Sequence, residues 1–98
     1  MDLVELGRKA AELVPGLGTV ERVKVTHRLD STDRPAYYFS FLIERKGDRE
    51  QAVQARIRLG QKLRDELLAR DDDHYPYIKI LNREDWEKRE MWKTSERA

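Results

Sequence analysis

The chain contains no cysteine, which excludes disulfides, thiolate metal centres and a cysteine nucleophile and fits a reducing compartment. Two histidines are too few for a conventional zinc centre when no thiolate is there to join them, and neither a metal nor another cofactor is expected. Long apolar runs are missing as well: none approaches the roughly 20 residues that a membrane span needs. The opening "MDLVELGRKAAELV" is interrupted by acids and bases, unlike the apolar core of a secretory signal, so a cytoplasmic protein without membrane contact is expected. Charge of one sign is also lacking, since 20 bases against 19 acids leave a formal charge of +1. Binding of nucleic acid would therefore need a local basic patch rather than an overall field.

What is present is patterned. Ninety-eight residues bury one modest core, so a single domain over residues 1–93 is expected, with 94–98 as a disordered tail. Leu3, Leu6, Ala10, Leu13 and Val14 recur at helical spacing, and Pro15-Gly16 closes that helix. From Val23 the pattern alternates: Val23, Val25, His27 and Leu29 face one way, Arg22, Lys24, Thr26 and Arg28 the other. After "DSTDRP", Tyr37, Phe39, Phe41 and Ile43 alternate with Tyr38, Ser40, Leu42 and Glu44. The short polar link predicts an antiparallel hairpin.

A long helix is predicted from a cap at Asp48 to about Arg70. Its apolar arc holds Ala52, Val53, Ile57, Leu59, Gly60, Leu63, Leu67 and Leu68, with Arg56 and Arg64 snorkelling at the edges or pairing with carboxylates. "YPYIKIL", residues 75–81, reads as a third strand with Ile78 and Ile80 inward and Pro76 at an edge or near its start. Asn82 then caps a short helix carrying Trp86. The expected fold is α+β, in the order α-β-β-α-β-α, with a three-stranded sheet and helices packed on one face. The strand order is left open.

Few residue groups suggest chemistry. Asp30, Ser31, Thr32 and Asp33 have the residue types of a cation site, but no phosphate-binding loop or further carboxylate accompanies them, and the same types favour turns. His27 lies at an inward strand position, where a hydrogen-bonded core role is the simpler reading. Asp71, Asp72, Asp73 and His74 offer carboxylates and an imidazole in one loop, where a solvated run is the simpler reading. A metal-dependent enzyme using Asp30, Asp33, Asp71 to Asp73 and His74 would require the two loops to meet, so no catalytic residue is assigned.

The second face of the sheet is more informative, because bases and tyrosines interleave there. Arg22, Lys24, Arg28, Tyr38, Leu42, Tyr77 and Lys79 are the candidate contact residues. Stacking aromatics beside cations suit single-stranded RNA. The same face suits a protein partner or a second copy of the chain, and residues 83 to 92, with Trp86 and Trp92, offer an internal cover. The leading expectation is a non-enzymatic module that binds a protein or itself through the outer face or edge of the sheet. RNA binding is the alternative.

Four segments, "VERVKV" at 20–25 followed by Leu29, "YFSFL" at 38–42, "GQKLRDEL" at 60–67 and "PYIKI" at 76–80, resemble the ribosome-binding factor A family over about residues 20 to 85. That resemblance implies a KH-like fold, binding to small-subunit ribosomal RNA during assembly, and no catalytic role. It also implies a helix kinked at an Ala-x-Gly element, where this chain has Arg58 and Gly60. A glycine inside a helix costs about 1 kcal/mol relative to alanine, so a kink or a close approach to a strand is expected at Gly60.

Overall fold

The computed structural model describes residues 2–44 and 49–88. The predicted cap at Asp48, Trp92 and the 94–98 tail lie outside the described residues. Helix α1 (Leu3–Glu12) starts at Asp2, whose carboxylate accepts from the Glu5 N–H at 2.8 Å, satisfying one of the donors a helix start leaves open. Its buried residues are Leu6, Gly7, Ala10 and Ala11. Gly7 permits close approach, because a Cβ there would sit 3.0 Å from the Phe39 ring. The turn out of α1 passes through Gly18 at φ +107, where a Cβ would lie 2.5 Å from the Glu44 carbonyl oxygen. Only glycine fits there.

Strands β1 (Thr19–Leu29) and β2 (Pro35–Glu44) form the expected antiparallel hairpin, with a bulge between Val20 and Arg22. Helix α2 (Arg49–Ala69) then crosses to β3 (Tyr75–Leu81), which pairs with β2 in parallel, so the sheet order is β1-β2-β3. A helix between parallel neighbours is the usual connection. α2 ends in a Schellman-type cap: the Asp72 N–H donates to Leu67 O and the Asp71 N–H to Leu68 O, with Asp71 at φ 59. Such a cap satisfies the last carbonyls of a helix. Asn82 caps the helix that begins at 83 as predicted, its side chain accepting from the Asp85 N–H at 2.8 Å, and residues 83–88 are helical.

The inner face of β2 carries Tyr37, Phe39, Phe41 and Ile43, all buried as predicted. They pack with Leu6, Ala10 and Ala11 of α1 and with Ala55, Leu59, Leu63 and Leu67 of α2. The resulting architecture is α+β, with α1 set against β1, α2 against β3, and the two helices against each other.

Several apolar positions depart from their predicted placement. α2 buries a straight row at every fourth residue, Ala55 to Leu67, while Val53, Ile57 and Leu68 are more than half exposed. The predicted arc was wider than the contact, because a helix lying beside α1 on the sheet touches both along one narrow ridge. Leu13, just past the end of α1, is 60% exposed. Leu29 and His27 hold the inward parity of β1 yet are exposed. β1 spans roughly 36 Å against about 15 Å for α1, so the strand outruns its cover. Close approach to a strand does not require the glycine at Gly60: a Cβ there would meet Ile78 at 3.4 Å, an ordinary contact.

Candidate functional site

The register of the two strand pairs lays out the outer face in rows. Arg28, Ala36 and Tyr75 form one; Thr26, Tyr38 and Tyr77 the next; then Lys24, Ser40 and Lys79; then Arg22, Leu42 and Leu81. The register runs without a shift from the hairpin turn to Arg22, and the bulge at Glu21 lies beyond it, where the extra residue turns Val20 to the inner face opposite Ile43. All seven candidate contact residues therefore share one face. Leu42 and Leu81, however, are only 3% and 7% exposed. They lie where the chain leaves β3 for helix 83–88, whose Arg83 reaches back to both carboxylate oxygens of Glu21 at 2.9 and 3.0 Å. Leu42 thus offers no surface to a partner, and what remains open on the face is cationic and aromatic.

The tyrosines are arranged differently from a stacking platform. Tyr38 and Tyr77 stack on one another at 4.9 Å with ring planes 13° apart. The Arg28 guanidinium lies 4.2 Å from the Tyr38 centroid. Tyr75 tilts against Tyr77 at 4.8 Å, and Arg64 of α2 approaches Tyr75 at 5.8 Å. A rib of three rings with a cation at each end therefore crosses the sheet from β1 to α2, and these contacts already take up ring faces of Tyr38 and Tyr77. The Tyr77 hydroxyl donates to Asp30 Oδ2 at 3.0 Å, which pushes its own pKa up.

Beside the rib lies a cleft of about 450 Å³, lined by Lys24, Thr26, Arg28, Tyr38, Ser40, Tyr77, Lys79, Leu81 and Trp86 among others. Among the described residues its lining includes three cations and no carboxylate. Thr26 and Ser40 share the outward parity of Lys24 and Tyr38, and Trp86 borders the face for which residues 83 to 92 offered a cover.

The acid and hydroxyl cluster after β1 is a turn. Asp30 Oδ1 accepts from the Thr32 N–H, the Thr32 hydroxyl and the Arg34 N–H at 2.8, 2.6 and 3.1 Å. The Thr32 hydroxyl, the Arg34 and Thr32 amides and Tyr77 together hold the Asp30 carboxyl down to about 2. Because β3 starts beside Ala36, the loop before it does meet this turn, and Asp30 and Asp73 line one cleft with Arg34 and Arg64. Asp30 is already saturated with donors, so the meeting assembles no free pair of carboxylates around it.

In that later loop, Asp72, Asp73 and His74 place ligand-type atoms within 4.8 Å of one another. Asp72 is committed elsewhere: Oδ2 accepts from the Tyr37 hydroxyl at 2.6 Å, and Oδ1 from the His74 N–H at 3.0 Å and in close contact with its Nδ1. Desolvation raises the Asp72 pKa, but these hydrogen bonds outweigh it and the net direction is down. His74 stacks on Tyr37 at 4.5 Å, and the exposed His27 meets both rings. The cluster pins the loop to β1 and β2. His27 is accordingly a partner in a surface ring cluster rather than a core residue.

Arg56 and Arg64 sit at the sheet edge, as expected of snorkelling side chains. Arg56 donates to Ile78 O at 3.2 Å, covering an acceptor on β3, while Pro76 lacks an N–H altogether. No helix among the described residues is long and apolar enough to cross a membrane. Against known protein families, curated proteins and solved structures, the chain has no match.

Proposed function

We propose that the chain is a non-catalytic binding module that holds single-stranded RNA against the outer face of its sheet. The observation that carries this reading is the segregation of charge: Arg22, Lys24, Arg28 and Lys79 share one face whose apolar members, Leu42 and Leu81, are already buried. A chain of formal charge +1 that gathers four cations on one surface meets the local-patch requirement that its composition imposes. Contacts of this kind go to phosphates, so binding is salt-dependent and tolerant of sequence. The resemblance of residues 20 to 85 to ribosome-binding factor A points to the same partner class, in the cytoplasm.

The test is fluorescence anisotropy of a labelled oligouridylate across a salt series. Reversing two cations together, Lys24→Glu with Arg28→Glu, is expected to weaken binding and to lower the log–log salt slope by about 1.4, since each single-strand phosphate contact contributes about 0.7. Absence of salt-sensitive binding by the unaltered chain sinks the proposal.

A protein partner, including a second copy of the chain, is the second reading. The observation favouring it is the outer edge of β1, an eleven-residue strand at the border of the sheet, opposite the β3 edge that Pro76 and Arg56 blunt. Pairing β1 with another strand would extend the sheet. Light scattering that gives a strict monomer at high concentration, with no partner on purification, counts against it.

A further inference from the structure

Among the described residues the outer-face cleft carries one sign of charge, as does the cleft between α2 and β3 that Arg56 and Arg64 line. Two other clefts mix signs: the one at the start of α2 sets Arg56 and Arg83 beside Glu21, Glu44 and Asp85, and the one at the hairpin turn sets Arg34 and Arg64 beside Asp30 and Asp73. In the outer-face cleft, Lys24 and Lys79 flank Ser40 in a single row across the sheet. Two strand spacings separate their backbones by roughly 10 Å, a span that long lysine side chains close around one anionic group. The Ser40 and Thr26 hydroxyls supply neutral donors beside them.

The walls of the cleft are unequal. On one side stand Tyr38 and Tyr77, stacked on one another and on Arg28. On the other is Trp86, half-buried on helix 83–88. A planar group entering beside the rib would have to separate rings already in contact, whereas the indole forms a wall of the cleft itself. The space, about 450 Å³, falls within the roughly 300–1,000 Å³ typical of small-ligand sites.

We infer that this cleft seats one nucleotide of the RNA strand, its phosphodiester over Ser40 between Lys24 and Lys79 and its base on the indole of Trp86, with the tyrosines as wall rather than stacking platform. The inference rests on reading the outer face as an RNA surface. It assigns the stacking role to a residue outside the sheet and leaves Tyr38 and Tyr77 with the task of holding β3 against β2.

The experiment uses the full chain carrying Trp92→Phe, so that Trp86 is the only indole, with oligouridylate and oligoadenylate as probes. Stacking is expected to quench Trp86 fluorescence in step with anisotropy, and a strand with an abasic backbone is expected to bind without quenching. Trp86→Leu should weaken RNA binding about tenfold, in line with the loss of one stacked base, while Lys79→Gln should lower the salt slope by about 0.7. Thermal unfolding of each variant separates a lost contact from a lost fold, and the exposed Lys79 provides the variant least able to disturb folding. Tyr38→Leu should cost stability more than affinity at fixed folded fraction.

Salt-sensitive RNA binding that depends on Arg22 and Arg28, leaves Trp86 unquenched and is indifferent to Lys79→Gln would overturn the subsite while leaving the face reading intact. No RNA binding at all would overturn both. An oligoglutamate that binds as tightly as RNA would also overturn both and reassign the face to an acidic protein segment.

Discussion

The hydroxyl of Tyr37 donates to Asp72 across 35 residues of sequence, and this bond links stability to pH at both ends of the scale. The hydrogen bond to Asp72 and burial push the phenol up from 10.0 to about 12. A phenol that stays protonated longer in the folded than in the unfolded state contributes stability that is complete below pH 10 and lost as pH rises towards 12. Asp72 has the opposite sign: its lowered pKa contributes stability above the ordinary carboxylate range that is lost as pH falls below it. Tyr37→Phe should therefore cost about 1–2 kcal/mol at neutral pH and flatten the alkaline limb of a urea-unfolding series against pH. An unchanged alkaline limb would show that another group sets it.

Two glycines in helices should respond to alanine in opposite directions. At Gly7 the new methyl meets the Phe39 ring at 3.0 and 3.1 Å and Val23 at 3.3 Å, so overpacking of about 1–3 kcal/mol exceeds the roughly 1 kcal/mol of helix propensity gained. At Gly60 the methyl finds ordinary contact with Ile78, so Gly60→Ala should raise stability by about 0.5–1 kcal/mol. Denaturant midpoints of the two variants check both signs. Both glycines lie inside helical patterns, and the Ala-x-Gly resemblance drew attention to Gly60, whereas the tight position is Gly7. What distinguishes them is the distance from helix to sheet, which neighbouring residues do not reveal.

Among the elements, the helix that begins at 83 is held by its cap at Asn82 and by the Arg83 to Glu21 pair. Asn82→Ala should cost about 1 kcal/mol, speed amide exchange in the 83–88 segment, and shift Trp86 emission to the red; an unmoved emission maximum would mean that the cap does not position the indole. Arg83 ties the helix bordering the cleft to β1 through the carboxylate of Glu21, the bulge residue. Sequence alternation conveyed the outward parity of Arg22 and Lys24, whereas the Arg83 to Glu21 anchor stayed hidden because the two lie 62 residues apart.

For the whole molecule, element order, the hairpin and the inner parity of β2 were legible because each is a local periodicity. The parallel placement of β3 was not, since a strand of seven residues pairs with equal local plausibility on either side of the hairpin. The candidate face was legible in its residues and illegible in its relief: parity placed Tyr38 and Tyr77 outward, but their mutual stacking and the burial of Leu42 and Leu81 depend on which strand stands next to which. If the cationic face holds RNA, ligand and fold are linked, and a saturating oligonucleotide should raise the melting temperature in low salt and lose that effect as salt rises.

The parallel pairing of β3 also bears on the order in which the surface comes into being. β1 and β2 meet through a tight turn, but β3 must wait for the whole of α2 to fold back, a longer loop to close. Lys79, Tyr77 and Leu81 arrive with it, so every row of the face is incomplete until the last strand docks. The hairpin alone presents half a site, and any transient detachment of β3 dismantles it while most of the core persists. Occupancy of the face would then report that folding has gone to completion, and amides of β3 would be the ones a bound partner slows most.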